Sequence, residues 1–156
     1  MPAEVGGPAP DFTLAGSDGT DEGRRDYTLS EYRGQPVVLV FYPGDSTPVC
    51  TRQLNSYTED IDSFTEAGAQ VLAISPQSVA SHEEFSCKQG GFAFPLLADA
   101  DKAVGEAYGI LGPLGFYRRS AFVVDAEGTI RYAHRAVAGL TFRSTEELVA
   151  AVRAAG

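Results

Sequence analysis

The chain has 156 residues, of which 44% are hydrophobic and 21% charged, a composition ordinary for one globular domain with a substantial core. Its formal net charge of −9 argues against a nucleic-acid-binding surface, because an acidic face repels phosphate. No apolar run approaches the roughly 18 residues that a membrane span requires, and the start, Met1-Pro2-Ala3-Glu4, lacks the features of a signal peptide. We therefore expect a single domain over 1–156 in the cytoplasm, with no nucleic-acid partner and no membrane partner.

The first part of the chain predicts a hairpin followed by a buried strand. Short strands at 11–14 and 25–29 are separated by residues rich in Gly and Asp, which favour turns. A brief helical turn at 30–34 comes next. The unbroken apolar run that follows, at 36–42, is typical of a strand buried on both faces.

An amphipathic helix is predicted directly after this strand. Thr47 is a candidate N-cap, and Pro48 occupies the first helical position, which tolerates the missing N–H of proline. Apolar residues then recur at steps of four and three along one stripe, and Gly68 marks the end of the helix. The stripe consists of Cys50, Leu54, Tyr57, Ile61 and Phe64. Cys50 therefore begins the face that we expect to pack on the sheet.

The rest of the chain alternates strands and helices. The predicted strands are at 71–75, 121–124 and 129–134, and the predicted helices are at about 78–89, from Asp99 to about 109, and from Ser144 onwards. The helix at 78–89 carries few apolar residues and ends at two glycines, which is typical of a segment that opens locally. The order of elements predicts an α/β protein of thioredoxin-like fold, with a mixed central sheet, helices on both faces and an N-terminal hairpin extension.

Cys50 carries the clearest chemical signal. At the start of a helix, unpaired N–H groups and the positive end of the helix dipole stabilise negative charge, and the thiolate is the reactive form of cysteine. A buried structural cysteine is the alternative interpretation. Cys87, on the next predicted helix, can also be inert. Two cysteines are too few for a disulfide scaffold and favour a transient, redox-active disulfide.

The sequence predicts no metal and no organic cofactor. His82 and His134, taken with the two cysteines, match no zinc-ligand spacing. The glycines between 109 and 115 lack the spacing of a phosphate-binding loop. We interpret Asp45 and Ser46 as ordinary loop residues.

The segment Pro43-Gly44-Asp45-Ser46-Thr47-Pro48-Val49-Cys50 has a distinctive pattern of Pro, three residues, Thr, two residues and Cys. Segments 9–14, 29–42 and 119–125 accompany it, the last beginning with Arg119. Together they resemble the alkyl hydroperoxide reductase/thiol-specific antioxidant family, the peroxiredoxins, and among them the Q type, or bacterioferritin comigratory proteins. The likeness covers nearly the whole chain.

This resemblance implies a thiol-dependent peroxidase that reduces hydrogen peroxide and organic hydroperoxides and is recycled by thioredoxin or a similar dithiol. It implies that Cys50 becomes a sulfenic acid and that Arg119 and Thr47 bind the sulfur and the peroxide. Pro43 is expected to shield the site from water. Arg118 is a rival for the role of Arg119. The position of Arg119 directly ahead of the predicted strand favours Arg119. Family members of this type are often monomers, so we expect a monomer or a weak dimer.

Two positions depart from the family pattern. Asn55 stands where many Q-type members have a second cysteine, and Gln53 stands where a glutamate is usual. The resemblance therefore implies that Cys87 resolves the sulfenic acid by forming an intramolecular disulfide with Cys50. Because a disulfide requires Cα atoms within about 7 Å and the two cysteines lie on separate predicted helices, we predict that the segment around Cys87 loosens for the bridge to form.

Other functions stay open at this point. One is a one-cysteine peroxidase, or a peroxide sensor, in which Cys87 is non-essential. Another is a disulfide oxidoreductase on the same fold, although the second cysteine of its usual Cys-x-x-Cys motif is here Gln53.

Overall fold

A computed structural model of the protein describes residues 3–20, 22–136 and 142–155. The strands are β1 (Thr13–Ser17), β2 (Arg25–Thr28), β3 (Val37–Phe41), β4 (Gln70–Ser75), β5 (Leu96–Ala98), β6 (Ser120–Val124) and β7 (Ile130–Arg135). The helices are α1 (Pro48–Glu59), α2 (Ile61–Glu66), α3 (Val79–Lys88), α4 (Ala103–Ala107) and α5 (Thr145–Ala155), with 3-10 turns at Leu29–Tyr32 and Pro113–Gly115. Within these ranges, no helix has the length and apolar character needed to cross a membrane.

One seven-stranded sheet, in the order β2-β1-β5-β4-β3-β6-β7, organises the described chain. The central strands β3, β4 and β5 are parallel, and every other neighbouring pair is antiparallel. Parallel neighbours need a crossover connection, which α1 and α2 supply between β3 and β4, and α3 between β4 and β5. The predicted mixed sheet is therefore confirmed.

The side chains of β3 divide between two buried clusters, because successive residues of a strand point to opposite faces of the sheet. Val38 and Val40 pack with residues of α1, α2, α3 and α5. Leu39 and Phe41 pack with residues of α4 and with the N-terminal segment 3–12. Helices thus cover both faces, as predicted.

The predicted N-terminal hairpin is present, but its first strand was placed too early. We expected a strand at 11–14 and a turn from Gly16, whereas β1 continues through Ser17. A Cβ atom at Gly16 would lie 2.5 Å from a side-chain atom of Leu97 and 2.7 Å from the backbone oxygen of Leu96. Glycine at this position therefore serves the close approach of β1 to β5 and not a turn.

The helix predicted from Pro48 to Gly68 is wrong in one respect, because it is broken at Asp60 into α1 and α2. Asp60 has φ −99° and ψ 18°, outside regular helical geometry, and its carbonyl accepts the N–H of Ser63. Aspartate disfavours helix interiors because it competes for backbone hydrogen bonds. The apolar stripe crosses the break, and Phe64 of α2 is still fully buried.

Strand β5 was not predicted, and the helix predicted to begin at Asp99 begins later, at Ala103. The N-cap of α4 is Lys102, which has a left-handed backbone with φ 61°. Asp99 nevertheless satisfies the start of α4 from a distance, because its carboxylate accepts the N–H of Val104 at 3.2 Å and of Gly105 at 2.9 Å. Asp99 thus bonds to the start of the helix, although it lies outside it.

Candidate active site

Cys50 is the third residue of α1, as the local sequence predicted. Thr47 is the N-cap, with the extended backbone φ −79° and ψ 149°, and Pro48 is the first helical residue. The Cys50 side chain has no solvent exposure and lies in the cluster between the sheet and α1. The sulfur is thus held within the core at a helix start, where negative charge is stabilised.

Arg119, the residue directly before β6, reaches this sulfur. Its Nη1 donates to Cys50 Sγ at 3.2 Å, and only 4% of the residue is exposed. Antiparallel pairing places Ser120 opposite Phe41, so Arg119 lies just beyond the end of β3, beside the loop that leads to Cys50. A guanidinium is always charged in proteins, and here it lies against a buried sulfur.

Arg118, the rival arginine, points elsewhere because neighbouring residues of an extended segment face opposite sides. It is half-buried, and its Nε donates to the carbonyl of Ala136 at 3.1 Å. Of the two arginines, only Arg119 contacts Cys50 among the contacts of the described residues.

Gln53 is a member of this site that the sequence did not identify. It lies one helical turn after Cys50, is 1% exposed, and accepts a hydrogen bond from Arg119 Nη1 at 2.6 Å. Its amide also donates to the hydroxyl of Tyr57 at 3.4 Å. Burial raises the pKa of Tyr57 to about 12, and that neutral hydroxyl donates in turn to the carbonyl of Arg143 at 2.5 Å. The sequence signal for Gln53 is its position on the face of Cys50, since residues three apart are neighbours on a helix.

Thr47 and Pro43 lie in the loop between β3 and α1, and both are exposed. The Thr47 hydroxyl donates to the carbonyl of Gly44 at 3.2 Å. This bond occupies the hydroxyl hydrogen, so the Thr47 oxygen can accept a hydrogen bond from a molecule in front of it. Pro43 directly follows the buried aromatic residues at the end of β3.

Cys87 occupies a different environment. It lies in the last turn of α3 and is exposed, and both cysteines are free. On α3 the buried residues are His82, Phe85 and Ser86. Cys87 does not contribute to the buried face of this helix.

A second feature missed in the sequence is a buried polar network behind the loop. Asp45, interpreted as an ordinary loop residue, accepts hydrogen bonds from His82 Nδ1 at 2.8 Å, from the Ser81 hydroxyl at 2.6 Å and from the Tyr42 hydroxyl at 2.7 Å. Burial would raise the pKa of the Asp45 carboxyl, but the hydrogen bonds from His82, Ser81 and Tyr42 outweigh it, so the pKa is lowered. No local pattern signals this contact, because Asp45 and His82 are 37 residues apart.

Comparisons with known proteins agree on one family. The AhpC/TSA family model matches residues 5–133 of the chain. Peroxiredoxin Q of rice chloroplasts (Oryza sativa subsp. japonica) is 37% identical over 131 residues, and the match covers 83% of this chain and 58% of the rice protein. A putative peroxiredoxin of Mycobacterium tuberculosis is 39% identical over 132 residues, covering 80% of each chain.

A solved structure extends the likeness to three dimensions. Peroxiredoxin Q of Xanthomonas campestris has a TM-score of 0.80 and 34% sequence identity, and the match covers 92% of this chain and 90% of that chain. The α/β architecture described above is therefore the thioredoxin-like fold of such proteins. The chain spans less than two thirds of the length of the rice relative.

Proposed function

The chain belongs to the AhpC/TSA family, and from this premise we propose that it is a thiol-dependent peroxidase that reduces hydrogen peroxide and organic hydroperoxides through Cys50. The observation that carries the proposal is the contact between the buried Cys50 Sγ and Arg119 Nη1 at 3.2 Å. A fixed positive charge at this distance favours the thiolate, which is the nucleophilic form.

In the first step, the Cys50 thiolate attacks one oxygen of the peroxide. An S–O bond forms as the O–O bond breaks, the sulfur is oxidised to a sulfenic acid, and the other oxygen takes up a proton and leaves as water or an alcohol. Arg119 stabilises the charge that spreads over the two oxygens in the transition state. The Thr47 oxygen accepts the hydrogen bond of the peroxide O–H, and Pro43 limits the access of water to the site.

In the second step, the Cys87 sulfur attacks the sulfur of the sulfenic acid. An S–S bond forms, the S–O bond breaks, and the departing hydroxide leaves as water with the proton of the Cys87 thiol. Because Cys50 is buried and Cys87 is exposed, this step requires local opening of the chain. A dithiol protein of the thioredoxin class then reduces the disulfide by exchange.

We propose that residues 1–156 form one domain, which acts as a monomer or a weak dimer in the cytoplasm. The peroxide and the dithiol reductant are its partners. Sedimentation at micromolar concentration tests the oligomeric state directly.

The proposal is tested by peroxide consumption with thioredoxin and its reductase, together with the intact mass after one equivalent of hydrogen peroxide. The wild type should consume peroxide and lose the mass of two hydrogens. Cys50→Ser should lose the activity. Cys87→Ser should gain one oxygen on Cys50 and stop turning over. An active Cys50→Ser protein would refute the proposal.

One observation favours a second candidate, a one-cysteine peroxidase or peroxide sensor in which Cys87 is non-essential. Cys87 is exposed on a helix separate from Cys50, with both thiols free. In that case, Cys87→Ser would keep its turnover with thioredoxin, and the wild type would show no loss of two hydrogens.

A further inference from the structure

The buried pair of Asp45 and His82 connects the two segments that carry the cysteines. Asp45 lies in the loop five residues before Cys50, and His82 lies in α3 five residues before Cys87. Their side chains are 3% and 0% exposed, and Asp45 Oδ2 lies 2.8 Å from His82 Nδ1. Ser81 on α3 donates to the same carboxylate at 2.6 Å. The helix of one cysteine is thus bonded to the loop of the other.

Both ring nitrogens of His82 have buried hydrogen-bond partners. Nδ1 faces the Asp45 carboxylate, and Nε2 faces the carbonyl oxygen of Leu97 at 2.9 Å. The imidazole therefore bonds to the Cys50 loop on one side and to β5 on the other. Loss of one partner would leave a buried charge uncompensated.

Other links between the two segments are weaker. The Asn55 amide of α1 donates to Gln89 Oε1 at 2.9 Å, and the Ala93 N–H donates to the Thr58 hydroxyl at 3.2 Å. Both contacts are exposed to water, which competes for such bonds. The buried pair is the stronger connection between the loop of Cys50 and α3.

We propose that the Asp45–His82 pair is a latch that keeps the Cys50 loop and α3 together and thereby sets the rate at which Cys50 and Cys87 form their disulfide. The inference rests on the proposed function, because it requires Cys87 to resolve the sulfenic acid. Bridging proceeds through an opened state, and the latch exists only in the closed state. His82 is thus a positioning residue for the second step, and its loss increases the opened population.

The experiment follows the two steps separately. Reduced protein is mixed with one equivalent of hydrogen peroxide and quenched at intervals with acid and an alkylating agent. Intact mass then distinguishes thiol, sulfenic acid and disulfide. Mass is used because the chain has no tryptophan whose fluorescence could report the two steps. The tested variant is His82→Gln, which removes the imidazole that bonds to the Asp45 carboxylate. The matched control is Glu84→Gln on the same helix, where Glu84 is exposed and its ion pair is with Lys88 of that helix.

We expect His82→Gln to raise the rate of disulfide formation, relative to the rate of sulfenic acid formation, by about tenfold, which corresponds to about 1.4 kcal/mol. Glu84→Gln should keep the wild-type ratio. Asp45→Asn provides a second route, because it removes the carboxylate of the latch, and it replaces His82→Gln if that protein does not fold.

The possible outcomes distinguish failure of the latch proposal from failure of the proposed resolving role of Cys87. A wild type that forms no disulfide refutes the resolving role of Cys87, and the latch with it. A wild type that forms the disulfide, with an unchanged or lower ratio in the folded latch variants, refutes the latch alone. A fall in melting temperature without a change in the ratio would assign the pair a purely structural role and would also overturn the proposal.

Discussion

The two cysteines occupy opposite environments on neighbouring helices. Cys50 begins α1, has no solvent exposure and contacts Arg119, whereas Cys87 ends α3 on the surface. Exposure alone would make Cys87 the more reactive sulfur. The contacts indicate the reverse, because the Arg119 guanidinium lies against the Cys50 sulfur and a nearby positive charge favours the reactive thiolate. This difference supports the proposal that Cys50 reacts with peroxide and that Cys87 resolves the sulfenic acid.

The helices that carry the two cysteines differ in the same sense. The buried face of α1 contains Leu54 and Tyr57 as well as Cys50 and Gln53, while α3 buries one large apolar side chain, Phe85. A helix with little apolar anchoring opens at lower free-energy cost than one with a continuous apolar stripe. Of the two helices, α3 is therefore the one expected to move.

Replacing Arg119 should produce the largest effect, because it removes the feature that distinguishes Cys50 from Cys87. We expect Arg119→Met to slow sulfenic acid formation at Cys50 by roughly 100-fold or more, since a fixed donor to the transition state is lost. The rate is measured by quenched flow followed by intact mass. Arg118→Met is the matched control, because Arg118 bonds to Ala136 and not to the sulfur. Equal rates in the two variants would contradict the assignment.

Replacing Gln53 should have an intermediate effect. Its amide oxygen accepts from the same Nη1 that contacts Cys50, so it orients the guanidinium without touching the sulfur itself. We expect Gln53→Ala to slow the first step by roughly tenfold, corresponding to a hydrogen bond to a charged group. Gln53→Glu should retain most of the rate, since a carboxylate also accepts this bond. If the alanine variant reacted like wild type, Gln53 would not position Arg119.

Low pH should weaken the contact between Asp45 and His82, and we expect this effect to be smaller than those of the Arg119 and Gln53 substitutions. The lowered pKa of Asp45 means that its carboxylate stabilises the folded state above the unfolded pKa of about 3.9, and that this contribution is lost as the pH falls through the folded pKa. We expect wild type to be more stable than Asp45→Asn at pH 7, and this gap to narrow towards pH 3. Urea unfolding at several pH values measures it, and a constant gap would contradict the prediction.

Local sequence patterns predicted the elements that local chemistry determines. The start of α1 followed from Thr47 and Pro48, and β3, β4 and β6 followed from apolar runs. The three-residue strand β5 escaped prediction because its pairing with β1 and β4 defines it, and Gly16 belongs to a strand for the same tertiary reason.

The candidate site was predictable where a spaced pattern exists. The family resemblance carried by the segment from Pro43 to Cys50 and by Arg119 implied the contact between Arg119 and Cys50 that the structure contains. The sequence does not assign Gln53 to the site, because a neutral amide on a helix can face either a pocket or solvent. The Asp45–His82 pair joins residues distant in the chain, and only the packing of α3 beside the loop brings them together.

The central claim is that the buried sulfur, and not the exposed one, reacts with peroxide. Two single-cysteine proteins test it most directly: Cys87→Ser, which keeps Cys50, and Cys50→Ser, which keeps Cys87. Each reduced protein is mixed at neutral pH with hydrogen peroxide, and the rate of sulfenic acid formation is measured by dimedone trapping and mass. We expect rapid labelling of Cys50 and labelling of Cys87 no faster than that of a free cysteine. Equal rates, or a faster reaction of Cys87, would contradict it.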